Sequence, residues 1–141
     1  MAVDWWQMDP VFFSIDERGV ATITLNRPGQ LNAINMAMRD LLWEYLGACR
    51  DVAEVKAIVF RGEGRAFSAG ADISEFGTAP SVMEARAARH ERDLWWELLN
   101  HRCLTIALMH GFCYGAGLEL PLCCDVRIAE EGASLALPEV T

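Results

Sequence analysis

Two glycine-rich stretches carry the residue types best suited to binding a small ligand through the backbone. Residues 64–73 have the sequence Gly-Arg-Ala-Phe-Ser-Ala-Gly-Ala-Asp-Ile, and residues 111–120 have Gly-Phe-Cys-Tyr-Gly-Ala-Gly-Leu-Glu-Leu. In both, an apolar run precedes the glycines and a predicted helix start follows, where backbone N–H groups lack an intrahelical partner. Two such sets facing one pocket could stabilise an oxyanion, each donor contributing about 3 kcal/mol. The alternative is two tight strand-to-helix turns without a ligand.

Two carboxylates, Glu119 and Glu139, stand next to apolar residues and are candidates for proton transfer. Glu119 lies between Leu118 and Leu120, so we expect its side chain to be partly buried, as carboxylates used in acid–base chemistry often are. Glu139 ends the apolar run of residues 135–138. The alternatives are a solvated helix face for Glu119 and an ordinary loop carboxylate for Glu139.

Charge and motif content argue against several classes of protein. The 141 residues carry a formal net charge of −8, whereas nucleic-acid binding requires a basic surface. The five cysteines are odd in number and include no C-x-x-C pair, which predicts buried, reduced thiols and neither disulfides nor a metal site. Neither glycine-rich stretch forms G-x-G-x-x-G after a strand, and no Walker Gly-Lys-Ser/Thr sequence occurs, so nucleotide-binding motifs are not indicated.

The hydropathy of the chain predicts no association with a membrane. No apolar run reaches the roughly 20 residues that a membrane-spanning helix needs. Residues 1–6 contain no basic segment followed by an apolar stretch, and so do not resemble a secretory signal. We therefore expect a cytoplasmic protein.

Periodicity and turn signals predict the elements that must position the candidate residues. Asn35 and Ser81 are plausible N-caps, because each precedes a stretch with helical spacing or a capping-box pattern. The expected elements are a hairpin over residues 11–16 and 20–25, helices over 35–50, 81–100 and 118–123, and strands over 57–60, 105–109 and 125–129. A hairpin followed by alternating helices and strands predicts an α/β fold.

Four segments in this order resemble motifs of the crotonase (enoyl-CoA hydratase/isomerase) family. Residues 65–76 resemble the motif that binds coenzyme A and supplies one oxyanion donor. Residues 111–125 resemble the motif that supplies the second donor and a catalytic Glu. Residues 25–33 resemble the early loop of the family, and residues 137–139 resemble the segment with the second catalytic Glu. The resemblance covers the chain from about Val11 onward.

The resemblance implies roles for individual residues. It implies that the backbone N–H groups of Ala71 and Ala116 are the oxyanion donors, and that Glu119 and Glu139 lie on either side of a water. The positions implied for binding coenzyme A and the substrate are Gln30, Leu31, Ala33, Ala69, Asp72, Ile73, Gly115 and Pro138.

The resemblance also implies a fold, a ββα spiral. Residues 1–141 would form the N-terminal part of a single such domain, ending before its last turns and its C-terminal helical region. The full-length chain would form a homotrimer or a dimer of trimers, as members of the family usually do.

The activity implied is addition of water to a 2-enoyl-CoA thioester through an oxyanion-stabilised enolate, because both glutamates are present. The alternatives are another crotonase reaction such as enoyl-CoA isomerisation, or a non-catalytic acyl-CoA-binding fragment. No separate cofactor and no metal are expected, because coenzyme A is part of the substrate. We expect residues 1–141 alone to be poorly soluble or catalytically weak.

Three aromatic side chains have two possible roles under this resemblance. Phe76, Trp95 and Trp96 could narrow or reshape the acyl pocket. We favour the interpretation that they pack into the core around the long predicted helix.

Overall fold

The computed structural model describes residues 9–139 of the chain. Strands and helices alternate along this part of the chain. The strands are β1 (Val11–Ile15), β2 (Val20–Leu25), β3 (Ala57–Gly62), β4 (Leu104–Met109), β5 (Phe112–Tyr114), β6 (Val126–Ala129) and β7 (Ser134–Ala136). The α-helices are α1 (Met36–Asp51), α2 (Val82–Glu91), α3 (Leu94–Leu99) and α4 (Ala116–Leu122).

The main sheet has five strands in the order β1-β2-β3-β4-β6. β1 and β2 are antiparallel, with Val11 opposite Leu25, and form the predicted hairpin. The pairs β2–β3, β3–β4 and β4–β6 are parallel, so each requires a crossover that returns the chain to the same end of the sheet. Ile23 and Phe60 on the central strands are buried, which places the core against the middle of this sheet.

A second set of extended segments follows the main strands in the same order. Ile34 pairs in parallel with Ala71, and Ser68 pairs in parallel with Cys113. β5 and β7 continue this pairing as a two-stranded parallel sheet. In each of the first three turns, the chain forms a main strand, a second extended segment and then helix. This arrangement confirms the predicted α/β fold built from ββα repeats.

The first crossover contains α1, whose cap and buried face agree with the prediction. The Asn35 side chain accepts a hydrogen bond from the Met38 backbone N–H at 2.9 Å and caps the helix. Met38, Leu42 and Leu46 recur every four residues and are fully buried, which is the spacing of one helix face. Within residues 9–139, no helix combines the length and apolar composition that crossing a membrane requires.

The second crossover contains two helices where the sequence predicted one helix over residues 81–100. Ser81 caps α2 as predicted, since its side chain accepts from the Glu84 N–H at 3.1 Å. The helix ends shortly before Asp93, whose side chain accepts from the Trp96 N–H at 3.0 Å and starts α3. The prediction of one long helix was wrong, because the Asp93 carboxylate binds a backbone N–H that a continuous helix would use.

The strands β5 and β7 were not predicted from the sequence. Each has three residues and lies in a stretch that carries turn residues or a short apolar run. A strand of this length shows no alternation that a periodicity analysis could detect. Both strands form because the spiral brings their backbones together in parallel.

One buried polar side chain holds the loop after β2. Asn32 is fully buried, and its Oδ1 accepts from the Arg27 backbone N–H at 2.7 Å. Its Nδ2 donates to the carbonyl oxygens of Glu63 and Ala66 at 2.8 and 2.9 Å. These bonds join the loop between β2 and α1 to the loop after β3, and both loops carry residues predicted to bind a ligand.

We predict that Asn32→Ala destabilises the protein by about 3 kcal/mol, because it leaves three backbone groups without their partner. Asn26→Ala serves as the matched control, since the Asn26 side chain donates one exposed hydrogen bond, to the Asp9 carbonyl at 2.9 Å. We expect the control to lose about 1 kcal/mol or less. Denaturant unfolding of both variants measures the difference, and equal losses would contradict the structural role of Asn32.

Candidate active site

The two predicted oxyanion donors lie at equivalent places in neighbouring turns of the spiral. Ser68 and Cys113 are register partners, and Ala71 and Ala116 each follow three residues later in their segments. The register therefore brings both N–H groups to the same end of the pairing. A Cβ built on Gly70 would lie 3.9 Å from the Ala116 backbone nitrogen, so the two segments remain adjacent where the donors lie.

The N–H groups of these two alanines are unpaired, although the backbone around Ala71 is bonded. The Gly70 carbonyl accepts from the Ile34 N–H at 2.8 Å, and the Asp72 N–H donates to the Ile34 carbonyl at 3.0 Å. In the part of the chain that the structure describes, no protein group accepts a hydrogen bond from the N–H of Ala71 or Ala116. Ala116 is the first residue of α4, where an N–H has no intrahelical acceptor.

Two glycines allow the close approach of α4 to residues 66–71. A Cβ on Gly117 would overlap the Ser68 carbonyl oxygen and lie 2.7 Å from the Ser68 Cβ. Gly115 has a φ of 52°, a left-handed backbone conformation that favours glycine and turns the chain from β5 into α4. Without both glycines, Ala116 could not lie next to Ala71.

Glu119 lies in the first turn of α4 and is half-buried, as the sequence predicted. The Gly115 carbonyl accepts the N–H groups of Leu118 and Glu119 at 2.8 and 2.9 Å, which anchors this turn. Leu120 is buried in the core beneath it. The hydrogen bonds to Gly115 and the buried Leu120 therefore fix the position of this short helix. The Glu119 side chain borders the cavity beside Ala116.

Glu139 reaches the same cavity through β7. The Gly115 N–H donates to the Ala136 carbonyl at 3.0 Å, and Cys113 is in register with Leu135. A Cβ on Gly115 would lie 2.7 Å from the Glu139 Oε1, so the carboxylate occupies space that only a glycine leaves open. The Glu139 side chain is otherwise exposed.

A cavity of about 530 Å³ brings together all four residues that the resemblance assigned to catalysis. The residues concerned are Ala71, Ala116, Glu119 and Glu139. An adjoining cavity of about 380 Å³ also borders the two alanines, and it is lined largely by apolar side chains, among them Ile34 and Phe76. The two N–H groups therefore lie where the two cavities meet.

Asp72 is bound by neighbouring protein groups. Its Oδ1 accepts from the Ser74 hydroxyl at 2.6 Å and the Ser74 N–H at 3.1 Å. Its Oδ2 accepts from Arg27 Nη1 at 2.8 Å, and the same Nη1 donates to the Ala33 carbonyl at 2.6 Å. The hydrogen bonds from Ser74 and the ion pair with Arg27 hold the pKa of the Asp72 carboxyl below its usual value. Asp72 therefore stays ionised at neutral pH and joins two loops, and its contact with a ligand remains a prediction.

The other positions implied for coenzyme A do not line the cavity that holds the two glutamates. Leu31 and Ala69 are adjacent, since the Ala69 N–H donates to the Leu31 carbonyl at 2.9 Å. Ile73 is 77% exposed. Their roles in binding remain predictions, as do those of the remaining positions, Gln30, Ala33, Gly115 and Pro138.

The sequence analysis missed Arg39, which borders both cavities. A signal was present, because Arg39 precedes Leu42 by three residues and Leu46 by seven, which is the spacing of the buried face of α1. Trp95 and Phe76 also line the glutamate cavity. The core-packing interpretation is confirmed for Trp95, which packs against the core, and was wrong for Phe76, which is 63% exposed. Trp96 is 61% exposed and does not pack into the core either. α3 is short, so Leu94 and Leu98 cover the core and leave Trp96 on the outer face of the helix.

Cys113 lies close to the site but is unsuited to act as a nucleophile. It is fully buried, and burial raises the pKa of its thiol to about 11. Since the thiolate is the reactive form, the Cys113 side chain is unreactive at neutral pH. Cys113 is therefore not a candidate nucleophile for this cavity.

Comparison with known proteins identifies relatives of this chain. The pattern of the enoyl-CoA hydratase/isomerase family matches residues 16–141. A probable enoyl-CoA hydratase of Bacillus subtilis is 36% identical over 134 residues, covering 94% of this chain and 51% of the relative. A 2,3-dehydroadipyl-CoA hydratase of Escherichia coli is 37% identical over 125 residues, covering 89% of this chain and 48% of the relative.

A solved structure shows the same fold. The crystal structure of an enoyl-CoA hydratase from Mycobacterium smegmatis matches with a TM-score of 0.85 and 33% sequence identity, covering 93% of this chain and 51% of that one. The chain thus spans about half the length of the curated relatives it matches.

We predict that Gly117→Ala destabilises the protein by about 2 kcal/mol, because the added methyl group would overlap the Ser68 carbonyl and force the two segments apart. Helix propensity alone would favour alanine at this position by about 1 kcal/mol. Gly29→Ala is the matched control, since nothing lies within 4 Å of a Cβ at that position. Thermal unfolding compares the two, and a stabilised Gly117→Ala variant would refute the close approach of α4.

Proposed function

Because this chain belongs to the enoyl-CoA hydratase/isomerase family, we propose that it carries the catalytic groups of an enzyme that adds water to a 2-enoyl-CoA thioester. One observation supports this most: two unpaired backbone N–H groups and two carboxylates border a single cavity. The alanines Ala71 and Ala116 supply the N–H groups, and Glu119 and Glu139 supply the carboxylates.

The two N–H groups would bind the thioester carbonyl oxygen. Attack of water at C3 moves electrons through C2 to this oxygen and produces an enolate. Ala71 and Ala116 would donate hydrogen bonds to the negative charge as it develops, so they bind the transition state more strongly than the substrate. Each donor is held in place by backbone pairing, so little rearrangement is required during the reaction.

The two carboxylates would position the water and transfer its proton. Glu119 and Glu139 would both accept hydrogen bonds from one water molecule and orient it toward C3. One carboxylate takes a proton as the water adds, and a proton is then delivered to C2 of the enolate. The overall result is addition of H and OH across the double bond, with no net change in the protonation of the enzyme.

The presence of two carboxylates favours hydration over isomerisation. Moving a double bond requires one group that carries a proton between two carbons, whereas hydration also requires a group that activates water. The relatives from Bacillus subtilis and Escherichia coli are both named as hydratases, which supports the same choice. Isomerisation through Glu139 alone is the second candidate.

We extend the proposal to the whole protein. Residues 1–141 would be the N-terminal part of one ββα domain whose substrate supplies its own coenzyme A, bound partly by Gln30, Leu31, Ala69 and Ile73. We also propose that the full-length protein forms a homotrimer or a dimer of trimers, as the resemblance to the family implies. The five free thiols support a reducing compartment, and we propose a cytoplasmic location and a role in fatty acid metabolism.

In the full-length protein, we predict that Glu119→Gln and Glu139→Gln each lower kcat for hydration of a short 2-enoyl-CoA by at least about 100-fold. Binding of a saturated acyl-CoA should change little, because neither amide removes an oxyanion donor. Loss of the enoyl-thioester absorbance measures turnover, and calorimetry measures binding.

Glu131→Gln is the control, since Glu131 is exposed and close to Glu139 in the chain. Full hydratase activity in Glu119→Gln would exclude the two-carboxylate mechanism. Double-bond migration that survives in Glu119→Gln and is lost in Glu139→Gln would establish the isomerase alternative.

A further inference from the structure

Arg39 is a half-buried cation beside the proposed oxyanion site. It projects from α1 into the region where the two cavities meet, and both cavities are also bordered by Ala71 and Ala116. Its guanidinium carbon lies 5.7 Å from the centre of the Trp95 ring, so an aromatic face supports it from one side. The charge is therefore held at a defined place and does not extend freely into solvent.

This cation has no direct bonding partner in the described part of the chain, although the carboxylates of Asp93, Glu119 and Asp40 are near enough to attract it. Among residues 9–139, the Arg39 guanidinium takes part in no ion pair and no hydrogen bond, although five other arginines form ion pairs. Burial lowers the pKa of Arg39 and repulsion by Arg89 lowers it further, whereas attraction by Asp93, Glu119 and Asp40 raises it and offsets part of the shift. An arginine remains charged nevertheless, and a partly desolvated charge without a partner is unfavourable. An anion bound in the cavity would relieve both effects.

Two more arginines face the same cavity from α2. Arg86 and Arg89 are three residues apart on this helix and line the cavity that contains Glu119 and Glu139. Like Arg39, they form no ion pair within the part of the chain that the structure describes. Three guanidinium groups thus line a cavity of about 530 Å³, together with the three carboxylates of Asp93, Glu119 and Glu139.

The reaction geometry places the acyl chain in this region. With the thioester oxygen at Ala71 and Ala116, C2 and C3 must lie beside Glu119 and Glu139. The rest of the acyl chain then continues in the glutamate cavity, whose remaining wall contains the three arginines. An ordinary fatty acyl chain offers no partner for these cations, whereas a carboxylate offers a charge-assisted hydrogen bond to a guanidinium.

We propose that this cavity selects a 2-enoyl-CoA whose acyl chain carries a carboxylate at the end remote from the thioester, and that Arg39, with Arg89, recognises that carboxylate. The inference rests on the proposed function, since it places the acyl chain by the assumed position of the thioester. Arg39 acts here as a specificity-determining residue and takes no part in proton transfer. The phosphates of coenzyme A are the other anions that the substrate brings, so the test must separate the two sources.

The test uses the full-length protein and a pair of six-carbon trans-2-enoyl-CoA thioesters, one with a terminal carboxylate and one without. We expect the wild-type protein to prefer the carboxylated substrate by at least about 10-fold in kcat/KM, and Arg39→Gln to lower kcat/KM for that substrate by about 10- to 100-fold. The uncharged substrate should change by less than about threefold. Arg39→Lys should restore part of the preference, because it keeps the charge.

Two further variants distinguish the proposed role of Arg39 from misfolding and from nonspecific effects of removing a positive charge. Arg89 lies on α2, which has no buried residues, so the Arg89→Gln variant should keep the fold of the protein. We expect it to reduce the preference for the carboxylated substrate by about 3- to 10-fold. Arg92→Gln is the matched control, because Arg92 pairs with Asp40 at 2.8 Å and does not line the cavity. It should leave the rates for both substrates unchanged.

Equal losses for both substrates in Arg39→Gln, together with weaker binding of free coenzyme A, would assign the arginines to the phosphates and overturn the proposal. A wild-type protein that hydrates the uncharged substrate and does not prefer the carboxylated one would also overturn it, while leaving hydration intact. If neither substrate reacts, calorimetry with the saturated six-carbon thioesters decides. Tighter binding of the carboxylated thioester that is lost in Arg39→Gln would support carboxylate recognition without the hydratase function. Equal binding of the two thioesters would reject carboxylate recognition as well as hydration.

Discussion

Parallel backbone pairing between residues 66–72 and β5 holds the two halves of the candidate site in register. Ser68 donates to one carbonyl of β5 at 3.1 Å and accepts from one of its N–H groups at 3.0 Å. Buried backbone N–H and C=O groups must form hydrogen bonds. A shift of this pairing by one residue would leave several of these groups without partners. The same pairing ends just before Ala71 and Ala116, and leaves their N–H groups unpaired side by side. The interaction that stabilises the second layer therefore also creates the binding capacity of the site.

The cavity next to this pairing is bordered by groups of opposite charge. Glu119 and Glu139 lie near the N–H groups, and the arginines of α1 and α2 form another part of the wall. A carboxylate that activates water must remain free of a strong ion pair, and neither glutamate forms an ion pair among the described residues. Arg39 then remains available to a ligand. The charge pattern thus accounts for both the proposed reaction and the proposed substrate preference.

Elements with a clear local signal were predicted well, and elements that depend on distant partners were not. The hairpin and α1 follow from alternation, helical spacing and the Asn35 cap. The break between α2 and α3 is an exception and had a local signal that the sequence analysis missed, because Asp93 is the one residue between Ser81 and Asn100 of a type that commonly caps a helix. The strands β5 and β7 are too short to show a period, and they form because the spiral places them in contact.

The sequence by itself determined the chemical groups available to this protein: two glycine-rich turns with free N–H groups, two glutamates next to apolar residues, and a resemblance that assigned them roles. Only the tertiary structure decided that these groups border one cavity, because Ala71, Ala116 and Glu139 are distant along the chain and meet through parallel pairing. It also decided that Arg39 faces the same cavity. Helical spacing places Arg39 on the buried face of α1, but what lies opposite that face depends on how the second and third turns of the spiral stack on the first.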